Sequence, residues 1–207
     1  MRKRTPILVL ASASPRRRSL LGRAGIAFRA RPVFVEEKVL PGEKPRAYVL
    51  RLARQKAGAA RRTGELVLGA DTAVVLGRRI LGKPRDRREA ARMLRLLSGR
   101  LHRVLTGICL LGPGPPRAGV VESRVWFRRL SRAEIAAYVA SGEPMDKAGA
   151  YAIQGLASKF VRRIEGCCFN VMGLPVARVY DWLNQQPPRL TTQYRKLVQS
   201  GPAAVQG

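Results

Sequence analysis

The sequence predicts an α/β fold with a mixed, twisted sheet and flanking helices. Three observations predict it. Short apolar runs such as Ile7 to Ser12 and Leu66 to Asp71 have the length of buried strands. Other segments open with helix-start signals, either Pro at the first helical position or an Asp/Ser-x-x-Glu pair. The two kinds of segment intermingle along the whole chain, and no internal repeat is visible.

Taken in order, Ile7 to Ser12 reads as a first buried strand. Ser14-Pro15 opens a helix through about Ala24, with Gly25 as its stop. Phe28 to Val35 alternates as a strand. Pro45 opens a second helix, with Tyr48, Leu52 and Gln55/Lys56 near one face. Leu66 to Asp71 and Ala73 to Leu76 read as strand, and Gly77-Arg78-Arg79 turns the chain into Ile80-Leu81. Asp86 and Glu89 form a capping-box pattern ahead of Ala90, Met93, Leu94 and Leu97, an amphipathic set. Leu101 to Leu111 and Val120 to Leu130 read as two long strands joined by Gly112-Pro113-Gly114-Pro115-Pro116. Ser131 and Glu134 start a helix that ends at Ser141-Gly142. Phe160 to Ile164 and Cys167 to Val171 suggest a hairpin, and Leu174 to Leu183 a last helix. Beyond Asn184 the composition turns to Gln, Pro and small residues. The expected organisation is a single domain over 1–186 and a flexible tail over 187–207.

Composition narrows the function. The 207 residues carry 40 Lys+Arg against 13 Asp+Glu, a net charge of +27, and only eight of the forty are Lys. Such a charge attracts polyanions. The arginines occur in nearly every segment with few aromatics among them, so any nucleic-acid binding is expected to be non-specific. A 46% hydrophobic fraction argues against a disordered basic chain. Three Cys without a C-x-x-C pair and a single histidine, His102, exclude a four-ligand structural zinc site. A Ser-His-Asp or Cys-His mechanism would have to use His102, and nothing around it marks a nucleophile elbow. Met1-Arg2-Lys3-Arg4 ahead of Ile7 to Ala13 imitates a secretory signal, but the apolar stretch is short and Pro15-Arg16-Arg17-Arg18 follows directly. No run approaches the roughly 20 apolar residues of a membrane span. The expectation is a cytoplasmic protein without a membrane partner.

Four segments could carry chemistry. Ala11-Ser12-Ala13-Ser14-Pro15-Arg16-Arg17 lies at a strand-to-helix junction, where free N–H groups, hydroxyls and guanidinium forks suit phosphate. It also reads as a Ser N-cap with surface arginines. In Gly69-Ala70-Asp71-Thr72 an Asp sits at the end of an apolar strand, a costly place for a carboxylate that is unpaired or idle. Lys83, in Gly82-Lys83-Pro84, could aim an ammonium at the same place. One residue of Glu36-Glu37 could hold a hard divalent cation with Asp71, or the two could be a solvated loop pair. Gln154 could read a base edge through its amide, or could simply be solvated.

Taken together, Ala-Ser-Ala-Ser-Pro-Arg-Arg, Gly-Ala-Asp-Thr with Leu-Gly-Lys-Pro, Met-Leu-x-x-Leu-Ser-Gly-Arg-x-His, and Glu-Pro-Met-Asp-Lys-Ala-Gly-Ala-Tyr-x-Ile-Gln-Gly resemble the Maf family of nucleoside triphosphate pyrophosphatases. The blocks occur in order from about Ile7 to Leu183. The resemblance implies two lobes around a cleft in an inosine-triphosphatase-like fold, and often a homodimer. It implies hydrolysis of a nucleoside triphosphate to monophosphate and pyrophosphate with a divalent metal such as Mg or Mn. By the same resemblance Asp71 is the proton acceptor. Ser12, Arg17, Glu36, Lys56 and Lys83 hold phosphate and metal, with Glu36 and Asp71 toward the metal. Arg16, Thr72 and Gln154 bear on base selection. The Ala-Gly-Ala-Tyr-x-Ile-Gln-Gly form is similar to the dTTP/UTP branch, whereas a methylated-GTP branch carries a Glu-containing segment at Gln154. Cys167-Cys168-Phe169-Asn170 departs from the family's more polar, Tyr-containing stretch. Two rivals stand beside this reading: the same chemistry on 7-methyl-GTP or another modified nucleotide, and a basic nucleic-acid-binding or cell-division regulator without catalysis.

One comparison separates a phosphate cradle from a diffuse basic field. Arg17→Ala is expected to weaken nucleotide use strongly, and Arg88→Ala, on the polar face of the capping-box helix, to change almost nothing. A desolvated charge-assisted contact is worth roughly 1.5–3 kcal/mol, against roughly 0–1 kcal/mol for an exposed pair. Equal losses of kcat/KM in the two variants would assign the arginines to a diffuse field.

Overall fold

A computed structural model describes residues 8–186; Ile7 and the 187–207 tail lie outside the described residues. Seven strands form one sheet: β1 (Leu8–Leu10), β2 (Phe28–Ala30), β3 (Leu66–Leu76), β4 (Arg79–Leu81), β5 (Leu101–Leu111), β6 (Arg117–Phe127) and β7 (Val161–Glu165). Their order is β2-β1-β3-β5-β6-β7, with β4 also paired to β3. β1 runs parallel to β2 and β3, and the remaining pairs are antiparallel. The helices are α1 (Pro15–Arg23), α2 (Pro45–Ala59), α3 (Arg87–Leu97), α4 (Arg132–Ala140), α5 (Cys168–Val171) and α6 (Val176–Asn184).

Alternation along β3 divides the core between the two faces of the sheet. Leu66, Leu68 and Ala70 join Leu20 and Leu21 of α1 and Val179 and Leu183 of α6. Val67 packs on the other face with Ala53 and Ala57 of α2, and Ala73 and Val75 with Val49 and Leu52. Farther along, Val74 joins Met93, Leu94, Tyr138 and Phe160. α2 lies on the sheet in backbone contact. A Cβ at Gly69 would stand 2.2 Å from the Ala53 carbonyl oxygen, and one at Gly107 2.2 Å from that of Val49. Two glycines on β3 and β5, both facing α2, therefore set how low the helix sits.

The same strand also creates an opening. β5 occupies one edge of β3 from Val67 to Val75. On the other edge β1 reaches only Leu68 and β4 begins only at Val74, so residues 69–73 face a gap between two strands.

The structure corrects several boundaries. Residues Cys168–Val171 form α5 rather than the second arm of a hairpin, so Cys167 and Cys168 are not strand neighbours. A tetrapeptide is too short for periodicity to choose either element, and Asn170, bonded to Val104 and Ser123, anchors it as a helix. β3 is continuous through Thr72, which places Asp71 mid-strand rather than at a strand end. β2 stops at Ala30 instead of Val35, because β1 offers it only three partners. β6 spans Arg117–Phe127, not 120–130, in register with β5. α6 begins at Val176, after Pro175. Both capping pairs hold at the N-cap: Asp86 and Ser131 accept the N–H of Glu89 and Glu134. The Glu89 carboxylate, however, accepts from the Arg85 N–H, whereas Glu134 completes its box.

Two glycines on opposite sides of this contact are expected to respond in opposite directions. Gly107→Ala drives a methyl into the α2 backbone and should cost about 1–3 kcal/mol of stability, with loss of activity as the helix lifts. Gly58→Ala, on the open side of α2 with nothing within 4 Å, should gain about 0.5–1 kcal/mol. Urea unfolding of the pair checks both signs.

Candidate active site

A cleft of about 620 Å³ opens where β3 lacks a neighbour, within the size range of small-molecule sites. Its walls come from the β1–α1 turn, the segment at 33–37, the middle of β3, Lys83, and the segment at 146–154. Each wall contributes one kind of chemistry.

On the α2 face of β3, Asp71 is 6% exposed. Lys56, one helical face along α2 from Tyr48, donates to Asp71 Oδ1 at 2.6 Å and to Glu37 Oε1 at 2.7 Å. Lys83 stands 3.5 Å from Glu37 Oε2. Burial pushes the Asp71 carboxyl above its ordinary 3.8, and the nearby charges of Lys56 and Arg17 only partly offset this. Glu37 moves the other way: burial opposes ionisation, but its bonds to Lys56 and the charge of Lys83 hold it below the usual carboxylate range. Asp71 Oδ2 accepts no bond from the described residues. The site thus holds a buried carboxylate with raised proton affinity and one free oxygen.

Thr72 points to the opposite face, where it meets Arg17. The Arg17 guanidinium is 8% exposed and forms no ion pair among the described residues. It donates from Nε to the Gly173 carbonyl at 2.8 Å, from Nη1 to Ser12 Oγ at 3.0 Å and from Nη2 to Thr72 Oγ1 at 3.0 Å. One N–H on each terminal nitrogen remains for a ligand. Burial pulls its pKa below the ordinary value, countered by Asp71 and Glu37, yet an arginine stays charged in a protein. A buried guanidinium bonded only to neutral oxygens is short of an anion. Ser12 Oγ accepts from the Ser14 N–H at 3.2 Å as well as from Arg17, which leaves its own proton to donate. Ser14 N-caps α1 by position without a side-chain bond, so the first N–H groups of the helix stay open toward the cleft.

The remaining candidates stand at the rim. Arg16 pairs with Asp146 at 3.0 Å across the cleft. Gln154 is exposed, lines the cleft and has no hydrogen-bond partner among the described residues. Glu36 also lines the cleft and is exposed, without a bond to the described residues. The structure therefore brings together Ser12, Arg17, Thr72, Lys56, Asp71 and Lys83, and it brings Glu37 rather than Glu36 to the lysines. Parity carried that signal: Val33 and Val35 pack inward while Phe34 is 94% exposed, so Glu37 continues the inward row. Tyr48, whose hydroxyl donates to the Glu37 carbonyl at 3.2 Å, was not singled out as a site residue by sequence.

No cluster of three or more His, Cys, Asp or Glu forms a protein-only metal cage among the described residues. Oxygen donors at Asp71, Glu37 and Glu36 fit the other mode of magnesium binding, one or two carboxylates with phosphate oxygens completing the shell. His102 takes no part. It is buried away from the cleft, edge-on to Phe127 and Tyr151, with Nε2 2.8 Å from the Tyr151 hydroxyl. Burial lowers its pKa to about 4, so it is neutral near pH 7. No helix among the described residues is long and apolar enough to cross a membrane.

The Maf-like protein family model matches residues 7–186. A dTTP/UTP pyrophosphatase of Anaeromyxobacter dehalogenans (strain 2CP-C) is 57% identical over 176 residues, covering 83% of this chain and 90% of the relative. One from Koribacter versatilis (strain Ellin345) is 52% identical over 180 residues, covering 86% and 93%. One from Thermococcus onnurineus (strain NA1) is 52% identical over 175 residues, covering 84% and 95%.

The raised proton affinity of Asp71 has a thermodynamic consequence. Below pH 3.8 the group is protonated folded and unfolded alike and contributes nothing. As pH rises through the raised folded value, its ionisation increasingly disfavours the fold. Asp71→Asn, which leaves Lys56 paired with Glu37, should therefore melt at or above the wild-type temperature at neutral pH, with the advantage shrinking toward pH 3.8. Melting curves across this range check it; a clear loss at neutral pH would show that the ion pair outweighs its burial.

Proposed function

We propose that this chain, which belongs to the Maf-like protein family, hydrolyses nucleoside triphosphates, dTTP and UTP in preference, to the monophosphate and pyrophosphate. The observation that carries the reading is a single cleft holding a buried carboxylate with a free oxygen and a buried guanidinium without a counter-ion among the described residues. The similarity to relatives named dTTP/UTP pyrophosphatase supports the choice of substrate.

In this mechanism the triphosphate lies along the basic wall. The Ser12 hydroxyl, the open N–H groups of α1, the spare N–H pair of Arg17 and the Lys83 ammonium receive its oxygens. Lys56 holds Asp71 by one carboxylate oxygen, and the other accepts a proton from water. The water oxygen bonds to the α-phosphorus as the bond to the α–β bridging oxygen breaks, and pyrophosphate leaves with its charge matched by Arg17 and Lys83. A divalent cation, when bound by Asp71 with Glu37 or Glu36, supplies further neutralisation of phosphate charge. Gln154 stands at the rim with donor and acceptor both unspent, the pair that the adjacent carbonyl and ring N–H of uracil or thymine require.

Pyrophosphate release from dTTP, UTP, CTP, ATP and 7-methyl-GTP tests the reading. dTTP and UTP should exceed CTP and ATP by about tenfold or more in kcat/KM, near 1.4 kcal/mol. Asp71→Asn should lower turnover by at least ~10²-fold, the scale of a lost general base. Gln154→Glu should weaken the pyrimidine preference, since it loses the donor and adds a charge beside a triphosphate. A wild type that prefers 7-methyl-GTP would transfer the chain to the methylated-nucleotide reading. No pyrophosphate release at all would leave the binding-only regulator.

A further inference from the structure

Arg17 is held by a chain of hydrogen bonds that continues well beyond the cleft. Its guanidinium donates to Thr72 Oγ1, which lies 3.0 Å from Thr106 Oγ1 on the neighbouring strand. Thr106 Oγ1 donates to the backbone carbonyl of Asn170 at 3.1 Å. The Thr106 proton is spent on Asn170, so the 3.0 Å contact is made by Thr72 donating to Thr106, in preference to the Gly173 carbonyl at 3.4 Å, and the chain then runs from Arg17 to Asn170. The same carbonyl accepts the Gly173 N–H at 3.0 Å, and the Gly173 carbonyl receives Arg17 Nε. Two of the three protein contacts that fix the guanidinium therefore lead back to residue 170.

What fixes residue 170 is its own side chain, which is fully buried. Its amide donates to the Val104 carbonyl at 3.1 Å and to Ser123 Oγ at 3.0 Å, and Ser123 passes its proton to the Cys167 carbonyl at 2.9 Å. These bonds clamp both ends of α5 to β5 and β6. The amide oxygen has no partner among the described residues. An apolar side chain of similar shape would avoid that unmet acceptor but lose both donated bonds, to Val104 and Ser123. The amide is useful for the fixed position of its two donors.

We propose that Asn170 is a positioning residue that sets the orientation of the Arg17 fork, acting through Thr106 and the Gly173 carbonyl. The proposal rests on the phosphate-binding role given to Arg17 above. A double-mutant cycle tests it, read by calorimetric binding of inorganic tripolyphosphate and by KM and kcat for dTTP, well below each variant's melting temperature. Asn170→Leu and Thr106→Val should each weaken tripolyphosphate binding about tenfold when Arg17 is present, raising KM more than they lower kcat. In an Arg17→Lys background, which keeps the charge but has no fork to orient, each should cost less than about twofold. Equal losses in both backgrounds, or no loss beside Arg17, would overturn the proposal. If Asn170→Leu does not fold, the isosteric Thr106→Val decides the cycle alone. Tripolyphosphate binding without pyrophosphate release from any nucleotide would overturn the hydrolase reading and leave the cycle readable; a wild type that binds no tripolyphosphate would overturn both.

Discussion

The Lys56 ammonium, shared between Asp71 and Glu37, is the contact on which the site depends. Two carboxylates this close repel, and a buried one is costly to ionise. A single cation between them meets both demands, but only if it arrives on a helix that lies nearly flush with the sheet. Gly69 and Gly107 permit that approach by leaving no Cβ beneath the α2 backbone. Asp71 and Gly107 are directly paired across β3 and β5, so the residue that admits the helix is the register partner of the residue the helix serves. At Asp71 the charge is not stabilising in itself, whereas at Glu37 the same lysine favours ionisation. Burial outweighs the attraction of Lys56 and Arg17 at Asp71, and the surrounding apolar clusters offset the difference.

The gap along β3 turns this local chemistry into a cleft. Because β1 ends at Leu10, opposite Leu68, and β4 reaches back only to Leu81, opposite Val74, adjacent residues can serve opposite faces of the sheet and still border one cavity. Asp71 faces α2 and Lys56, while Thr72 faces α1 and Arg17. A buried carboxylate and the hydroxyl that holds a buried guanidinium are thereby fixed on neighbouring residues of one rigid strand. Rigid placement of this kind is what positioning catalysis requires, since small displacements of a reacting group cost large factors in rate.

Much of this was legible in the sequence, and the failures have physical causes. Strand β3 and the helix starts could be read because apolar runs, Pro at the first turn and Asp/Ser-x-x-Glu pairs act locally. Asp71 could be singled out because a carboxylate inside an apolar run needs a reason. Its mid-strand position could not, because Thr72 looks like a break unless one knows that Thr106 and Arg17 await it across the sheet. Glu37 was separable from Glu36 only by the inward parity of Val33 and Val35, which matters once that segment is known to continue the strand's alternation beyond β2. Cys168–Val171 is too short for periodicity to choose between strand and helix; contacts from Val104 and Ser123, distant in sequence, make the choice.

The excess of arginine acts on a different quantity from the site. Within the cleft, Glu37 and Asp71 are balanced by Lys56 and Lys83, and Arg17 remains as the surplus charge. A chain of net charge +27 surrounds that surplus with a wider positive field. Such a field raises the encounter rate with any polyanion, falls away with ionic strength, and carries no information about the base. It draws ATP and CTP as strongly as dTTP. Discrimination must therefore come from groups whose interaction does not depend on the triphosphate, and the neutral amide of Gln154 at the cleft rim is of that kind. Under the proposed function, surface charge sets how often a nucleotide arrives, the buried guanidinium how its phosphates are held, and an uncharged side chain which base is favoured. These three tasks fall to residues of different burial because water and salt screen an exposed charge strongly and a buried one much less.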